Sequence, residues 1–152
     1  AWACIRTHTS EWTLTIVGEG QERNKLEALI QEYELNNVFL PGFHNDISSC
    51  YKQSDIFAMT SVAEGFSLVL LEAMAHSLPI VGFYSDGGVS GLVDKTNGIL
   101  LDQGDINGLS QALLLLIQDS DKRAELGKTS YEKSLYYTNE QILKKWSSII
   151  EL

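Results

Sequence analysis

Residues able to do chemistry concentrate between Thr60 and Ile80, in the run TSVAEGFSLVLLEAMAHSLPI. Leu68, Val69, Leu70, Leu71, Ala73, Met74 and Ala75 surround Glu72. A helix apolar all round is a buried helix, so the pattern predicts Glu72 as a lone carboxylate in greasy surroundings. Such a group stays protonated or costs several kcal/mol unless something donates to it. No Lys or Arg occurs from Gln53 to Asp94, so its partner must be a neutral donor or come from elsewhere. Two readings stay open. One is a ligand with hydroxyls, since the adjacent pair of a ribose matches the two oxygens of one carboxylate. The other is a set of backbone amides or a distant side chain.

Glu64 stands eight positions before Glu72, after Thr60-Ser61 and just before Gly65. That is a loop at the carboxyl end of a strand, where function concentrates. Gly65 lets a ligand approach the backbone closely. The helix that follows offers free amides at Phe66, Ser67 and Leu68, an anion site with partial positive charge. One segment thus holds a carboxylate, an amide nest and a second carboxylate, which suit a sugar hydroxyl, a phosphate and a ribose. Taken alone, Glu64 also reads as a solvated loop residue.

The elements that must position these groups alternate along the chain. Expected strands are Trp12–Val17, Asn37–Leu40, Asp55–Met59, Pro79–Phe83 and Asn97–Leu101. Expected helices are Glu22–Leu35, Asp46–Gln53, Ser67–Ser77, Ile106–Gln118, Asp121–Tyr136 and Asn139–Glu151. Leu26, Leu29, Ile30 and Tyr33 share one face of the first helix. Thr138 and Gln141 have the spacing of a capping box. IFAM and PIVGF are apolar on both faces, as strands covered by helices on both sides are. Strands separated by helices give parallel β-α-β units. The fold class is therefore α/β, a doubly wound parallel sheet with helices on both faces and a ligand crevice at the carboxyl ends of its strands. Ala1–Ile5 reads as the end of a helix, so the sheet is expected to lack its first strand, as in a piece of a longer polypeptide.

Composition narrows the classes. The 152 residues suit one domain. A net charge of −9 without a Lys/Arg patch argues against nucleic acid. No apolar run reaches the roughly 20 residues that span a bilayer. Cys4 and Cys50 make no disulfide framework and read as reduced thiols of a cytoplasmic protein. His8, His44 and His76 lack ligand spacing to Cys, Asp or Glu, so no metal is expected. His44 reads as a surface residue, Asp86 before Gly87-Gly88 as a turn residue, and Trp2, Trp12 and Trp146 as core or domain-interface residues. Leu109, Ala112, Leu113, Leu116 and Ile117 form a core stripe.

The run AEGFSLVLLEAMAHSLPIV resembles the signature of the retaining glycosyltransferases of the group-1 type, family four, with the two-domain GT-B fold: Glu, seven residues, Glu, with EGF before and LEAMA and Pro after. WTLTIVGEG, NNVFLPGF, YKQSDIFAMTS and NGILLDQGD resemble the family's other segments. The resemblance implies that residues 1–152 are a domain binding a nucleoside diphosphate sugar, with the acceptor glycan or lipid held by an N-terminal domain. It implies that Glu72 holds the ribose hydroxyls, that Glu64 contacts the donor sugar at the reacting centre, and that Phe66, Ser67 and Leu68 meet the sugar and diphosphate. Gly18 and Gly20 would flank the nucleotide, and Phe43 would border the base. It further implies transfer to a hydroxyl with retention, no metal or other cofactor, and attachment at the membrane periphery for the full-length protein. The chain alone is expected to bind a nucleotide weakly and transfer nothing.

Three departures stand out. The family's Arg and Lys that grip the diphosphate would precede Ala1. The family's Gly before Leu-Pro is Ser77, which costs on the order of 1 kcal/mol if the backbone there is left-handed. A Glu in the loop SDGGVSGLV is replaced by Gly91. The competing reading is a non-catalytic nucleotide-sugar-binding domain. A sugar-nucleotide epimerase would need acid–base carboxylates and a basic cluster that the sequence does not offer.

Overall fold

The computed structural model describes residues 1–62, 65–85 and 88–150. After a 3-10 segment at Trp2–His8 come β1 (Leu14–Val17), α1 (Arg23–Glu32), β2 (Val38–Gly42), α2 (Ile47–Lys52), β3 (Phe57–Met59) and α3 (Leu68–Ala75). These are followed by β4 (Ile80–Phe83), β5 (Gly98–Leu101), α4 (Ile106–Gln118), α5 (Ser120–Ser134) and α6 (Asn139–Ile150). Three helices, α2, α4 and α5, begin where short acidic side chains cap them. Asp46 accepts from Ser49 N at 3.2 Å, Asp105 from Gly108 N at 2.8 Å and Asp119 from Lys122 N at 2.8 Å, each satisfying an orphan amide of a first turn. Thr138 Oγ1 accepts from Gln141 N at 3.4 Å at the start of α6.

Every strand pairing is parallel, but the pairings form two sheets, β1-β2 and β3-β4-β5. This alters one expectation: Ala58, in the middle of β3, is exposed rather than covered on both faces.

β4 is buried along its whole length. Successive side chains of a strand point to opposite faces, and β4 feeds two cores accordingly. Ile80 joins Tyr51, Met59, Leu70, Met74, Leu78 and Val89 on the α3 side. Val81 and Phe83 join Trp2, Ile5, Leu109, Leu113, Leu116 and Leu126 on the α4 side. The stripe expected on α4 lies in that second core, with Ile117 packed at its edge. Leu14 and Val38 of the smaller sheet pack against the same cluster. Asn37 secures the N-terminal segment there. Its Oδ1 accepts from Trp2 Nε1 at 3.2 Å, and its Nδ2 donates to Thr9 O at 2.8 Å and Trp12 O at 2.9 Å. Trp12 is half-buried under the Arg123 guanidinium, 5.0 Å from its ring centroid. Trp146 is exposed and is not a core residue.

α3 ends in a Schellman turn: Leu78 N donates to Ala73 O at 3.2 Å and Ser77 N to Met74 O at 3.0 Å. Ser77 carries the left-handed backbone of that turn at φ +59°. The strain expected from a non-glycine is therefore present. Gly127 of α5 sits against the same turn, where an added Cβ would strike the Ser77 carbonyl. Two substitutions test this joint by thermal unfolding. Ser77→Gly removes the Cβ penalty at the cost of extra unfolded-state freedom and is expected to add about 0.5–1 kcal/mol. Gly127→Ala is expected to lose about 1–3 kcal/mol by overpacking. A lower melting temperature for Ser77→Gly contradicts the account of the turn.

Candidate functional site

The site begins where β3 gives way to α3. Glu64 lies outside the described residues, as does Asp86 in the next loop. Ser67 is the N-cap of α3, in extended conformation, and its side chain makes no capping bond. The first intrahelical bond is from Leu71 N to Ser67 O at 3.4 Å, so the first-turn amides of Leu68, Val69 and Leu70 have no partner inside the helix. The amide nest is thus shifted by about two residues from the Phe66–Leu68 of sequence reasoning, because Phe66 and Ser67 precede the helix. Ser67 is 2% exposed, and among the described residues its Oγ has no hydrogen-bond partner. A buried hydroxyl without a partner costs roughly 1–3 kcal/mol. Gly65 is exposed with open space above its Cα, so the backbone there is approachable.

Glu72 requires a correction. It is exposed, not buried. Leu70, Ala73 and Met74 point into the core, whereas Leu68, Val69 and Glu72 lie on the open face of α3 at helical spacing. The apolar run reads as all-round burial because residues lining an open apolar wall and residues in a core have the same composition. The carboxylate does have a protein partner: Tyr51 Oη donates to Glu72 Oε2 at 3.0 Å. Tyr51 is buried on α2, its ring 5.9 Å from that of Phe57 and 5.2 Å from that of His76. Burial first, and then the hydrogen bond and charge of Glu72, push its phenol well above the ordinary tyrosine range, so the phenol remains a donor. His76 Nδ1 lies 2.7 Å from Glu72 O and must donate to it. Its Nε2 then accepts from Ser48 Oγ at 3.0 Å. α2 and α3 are thereby clamped on both sides of Glu72.

The remaining predicted residues gather around the smaller sheet. Gly18 has φ +125°, a backbone that favours glycine, and its N donates to Gly42 O at 2.8 Å. That bond joins the turn after β1 to the loop after β2, where Phe43 stands fully open at 76% exposure. Gly20 has open space above it. Arg23 lies beside this turn but is committed to Glu19 at 2.7 Å, Glu27 at 2.9 Å and Leu40 O at 2.9 Å. Phe66 is exposed, its ring 5.8 Å from Tyr137, over which Lys145 Nζ sits at 5.8 Å. His44 is on the surface.

Two groups that sequence reasoning passed over hold the site together. Tyr51 sits in a six-residue helix whose polar neighbours read as surface. Gln103, after β5, donates from Nε2 to Ser61 O at 3.0 Å and Tyr84 O at 3.2 Å, with Val62 O at 3.4 Å. One amide thus ties the loops after β3 and β4 to the end of β5. Only the turn-like DQGD hinted at Gln103.

Gly91 lines a cleft of about 290 Å³ with Ser90, Leu92, Lys133, Tyr136 and Tyr137. Lys133 is paired to Asp94 at 2.7 Å and donates to Asn97 Oδ1 at 3.0 Å. The hydrogen bond from Lys133, then those from Thr96, hold the Asp94 carboxyl at about 2. Its folded value lies below the ordinary 3.8, so the pair stabilises fully above about pH 4, and that contribution disappears as pH falls through 2. The exposed carboxylate keeps the effect within about 1 kcal/mol. Lys133→Met is expected to melt lower than the parent at pH 7, with the gap narrowing between pH 4 and 2. A gap that does not change with pH would assign the loss to Asn97 instead.

Residues 1–133 match the family described as Glycosyl transferases group 1. An uncharacterized glycosyltransferase of Haemophilus influenzae is 35% identical over 152 residues, covering 98% of this chain and 43% of its own length. A TarM variant from Staphylococcus aureus, solved in complex with fondaparinux, alpha-GlcNAc-glycerol and UDP, superposes with a TM-score of 0.87 at 29% identity, over 96% of this chain and 30% of that one. HepE from Anabaena, solved with UDP-glucose, gives a TM-score of 0.80 at 27% identity, over 96% of this chain and 44% of that one. The chain spans less than half the length of these relatives.

Proposed function

Because the chain belongs to the group 1 glycosyl transferases, we propose that it forms the domain that binds the donor, a nucleoside diphosphate sugar, in a protein that transfers the sugar to a hydroxyl acceptor with retention of configuration. The observation that carries this reading is the start of α3. Among the described residues, the amides of Leu68–Leu70 have no partner inside the helix and the buried Ser67 hydroxyl has none; these groups stand two to five residues, about 3–8 Å of helix rise, before Glu72. An anion on the amides and a vicinal diol on the carboxylate match a diphosphate and its ribose. The open ring of Phe43 borders the base, and Gly18 and Gly20 flank the nucleotide. The solved relatives bind UDP or UDP-glucose, which favours a uridine donor.

As the glycosidic bond breaks, negative charge grows on the diphosphate and positive charge on the sugar ring. Amides fixed at a helix N-terminus stabilise the first without reorganising. Glu64 orients the sugar and eases the second, and no covalent nucleophile is assigned. No metal or cofactor enters the scheme. The acceptor glycan or lipid is held by a second domain, so the 152-residue chain binds nucleotide and transfers nothing.

Calorimetric titration with UDP, GDP and ADP tests the binding role. Glu72→Ala is expected to weaken the best ligand about 10- to 100-fold, the loss of two hydrogen bonds worth about 1 kcal/mol net each at an exposed carboxylate. Equal affinity of parent and variant removes Glu72 from ribose binding. In the full-length protein, Glu64→Gln is expected to lower turnover by about 100-fold or more while nucleotide affinity holds. Loss of affinity alone would make Glu64 a binding group. An inactive full-length parent that still binds nucleotide sugar would instead support a non-catalytic binding domain.

A further inference from the structure

We propose that Tyr51 is a positioning residue that fixes the carboxylate of Glu72 in the orientation that receives the two ribose hydroxyls. This rests on the donor-binding role of Glu72. The geometry is asymmetric in a useful way. Glu72 is exposed on the open face of α3, and an exposed glutamate samples many rotamers that a ribose would have to freeze out on binding. Tyr51 has none of that freedom. Its ring is buried between α2, β3 and α3, tilted against Phe57 and His76, and only its hydroxyl reaches the carboxylate.

The phenol donates a single hydrogen bond to Oε2 at 3.0 Å. A carboxylate has about four lone-pair sites, so Oε1 and the second lone pair of Oε2 stay open to a vicinal diol. The other acceptor near the phenol is Val69 O, at a long 3.5 Å. α2, which carries Tyr51, is itself held: Asp46 caps its start, and Ser48 meets His76, whose other nitrogen donates to the Glu72 carbonyl. Backbone and side chain of Glu72 are thus each tied to α2, the backbone through His76 and the carboxylate through Tyr51. A residue present only for packing needs no hydroxyl, and phenylalanine fills the same space.

The experiment is a binding comparison in the full chain with two probes. They are whichever of UDP, GDP and ADP binds most tightly, and its 2′,3′-dideoxy counterpart, measured by calorimetry for the parent, Tyr51→Phe, Glu72→Ala and the double variant. Tyr51→Phe is expected to bind the ribonucleotide about 3- to 10-fold more weakly, as for one side chain whose rotamer freedom binding must then freeze. Its affinity for the dideoxynucleotide is expected to stay unchanged, and it should have no further effect once Glu72 is alanine. Unchanged ribonucleotide affinity overturns the proposal, and so does an equal loss for both probes, which marks a purely structural tyrosine. A Glu72→Ala variant that loses the ribose preference while Tyr51→Phe keeps it sinks the tyrosine role alone. A parent that never distinguishes the two probes sinks the ribose role of Glu72 together with it.

Discussion

Burial of β4 on both of its faces is the constraint from which the rest follows. A four-residue strand that sends Ile80 to one core and Val81 and Phe83 to the other needs helices on both sides. α3 must therefore run back over the sheet directly before β4, and it has one turn, at His76–Leu78, in which to reverse. That turn takes a left-handed residue, and Ser77 carries it under strain while Gly127 of α5 packs against its carbonyl. With the C-terminal end of α3 fixed, its N-terminal end is set at the mouth of β3. The placement of Ser67 and Glu72 follows from a packing requirement at the far end of the helix.

The proposed site would meet a diphosphate with few cations. From Gln53 to Asp94 the chain has no Lys or Arg. Two basic groups near the site already have ion-pair partners, Arg23 with Glu19 and Glu27 and Lys133 with Asp94, while Lys145 sits over the Tyr137 ring. What remains at the start of α3 is fixed dipoles, namely backbone amides and the Ser67 hydroxyl. Dipoles held by a folded backbone need no counter-ion and do not reorient when charge develops. They also suit a surface whose net charge of −9 would otherwise repel an anion.

Much of this was legible in the residues. The alternation of strands and helices gave the fold class, and Ile106–Gln118 was read without error because Asp105 caps it and its apolar stripe is regular. The strain at Ser77 is legible only through the family resemblance, which has glycine before Leu-Pro. Other features were hidden for physical reasons. Division into two sheets depends on which strand edges meet, and pairing between distant segments leaves no local pattern. Glu72 was misplaced in a core because Leu68 and Val69 are as apolar as Leu70 and Met74, and hydrophobicity cannot tell a wall from an interior. Tyr51 and Gln103 act through contacts 19 to 42 positions away, which no periodicity records.

The amide of Gln103 has a consequence for how such domains diversify. Because one side chain links the backbones of Ser61, Val62 and Tyr84 to the end of β5, those points move as one piece. A graft that exchanges the segment after β3 without its neighbours would leave carbonyls of foreign geometry facing a fixed donor. Recombination between relatives therefore has its natural seams before β3 and beyond residue 103, and the proposed donor specificity would travel with that whole block.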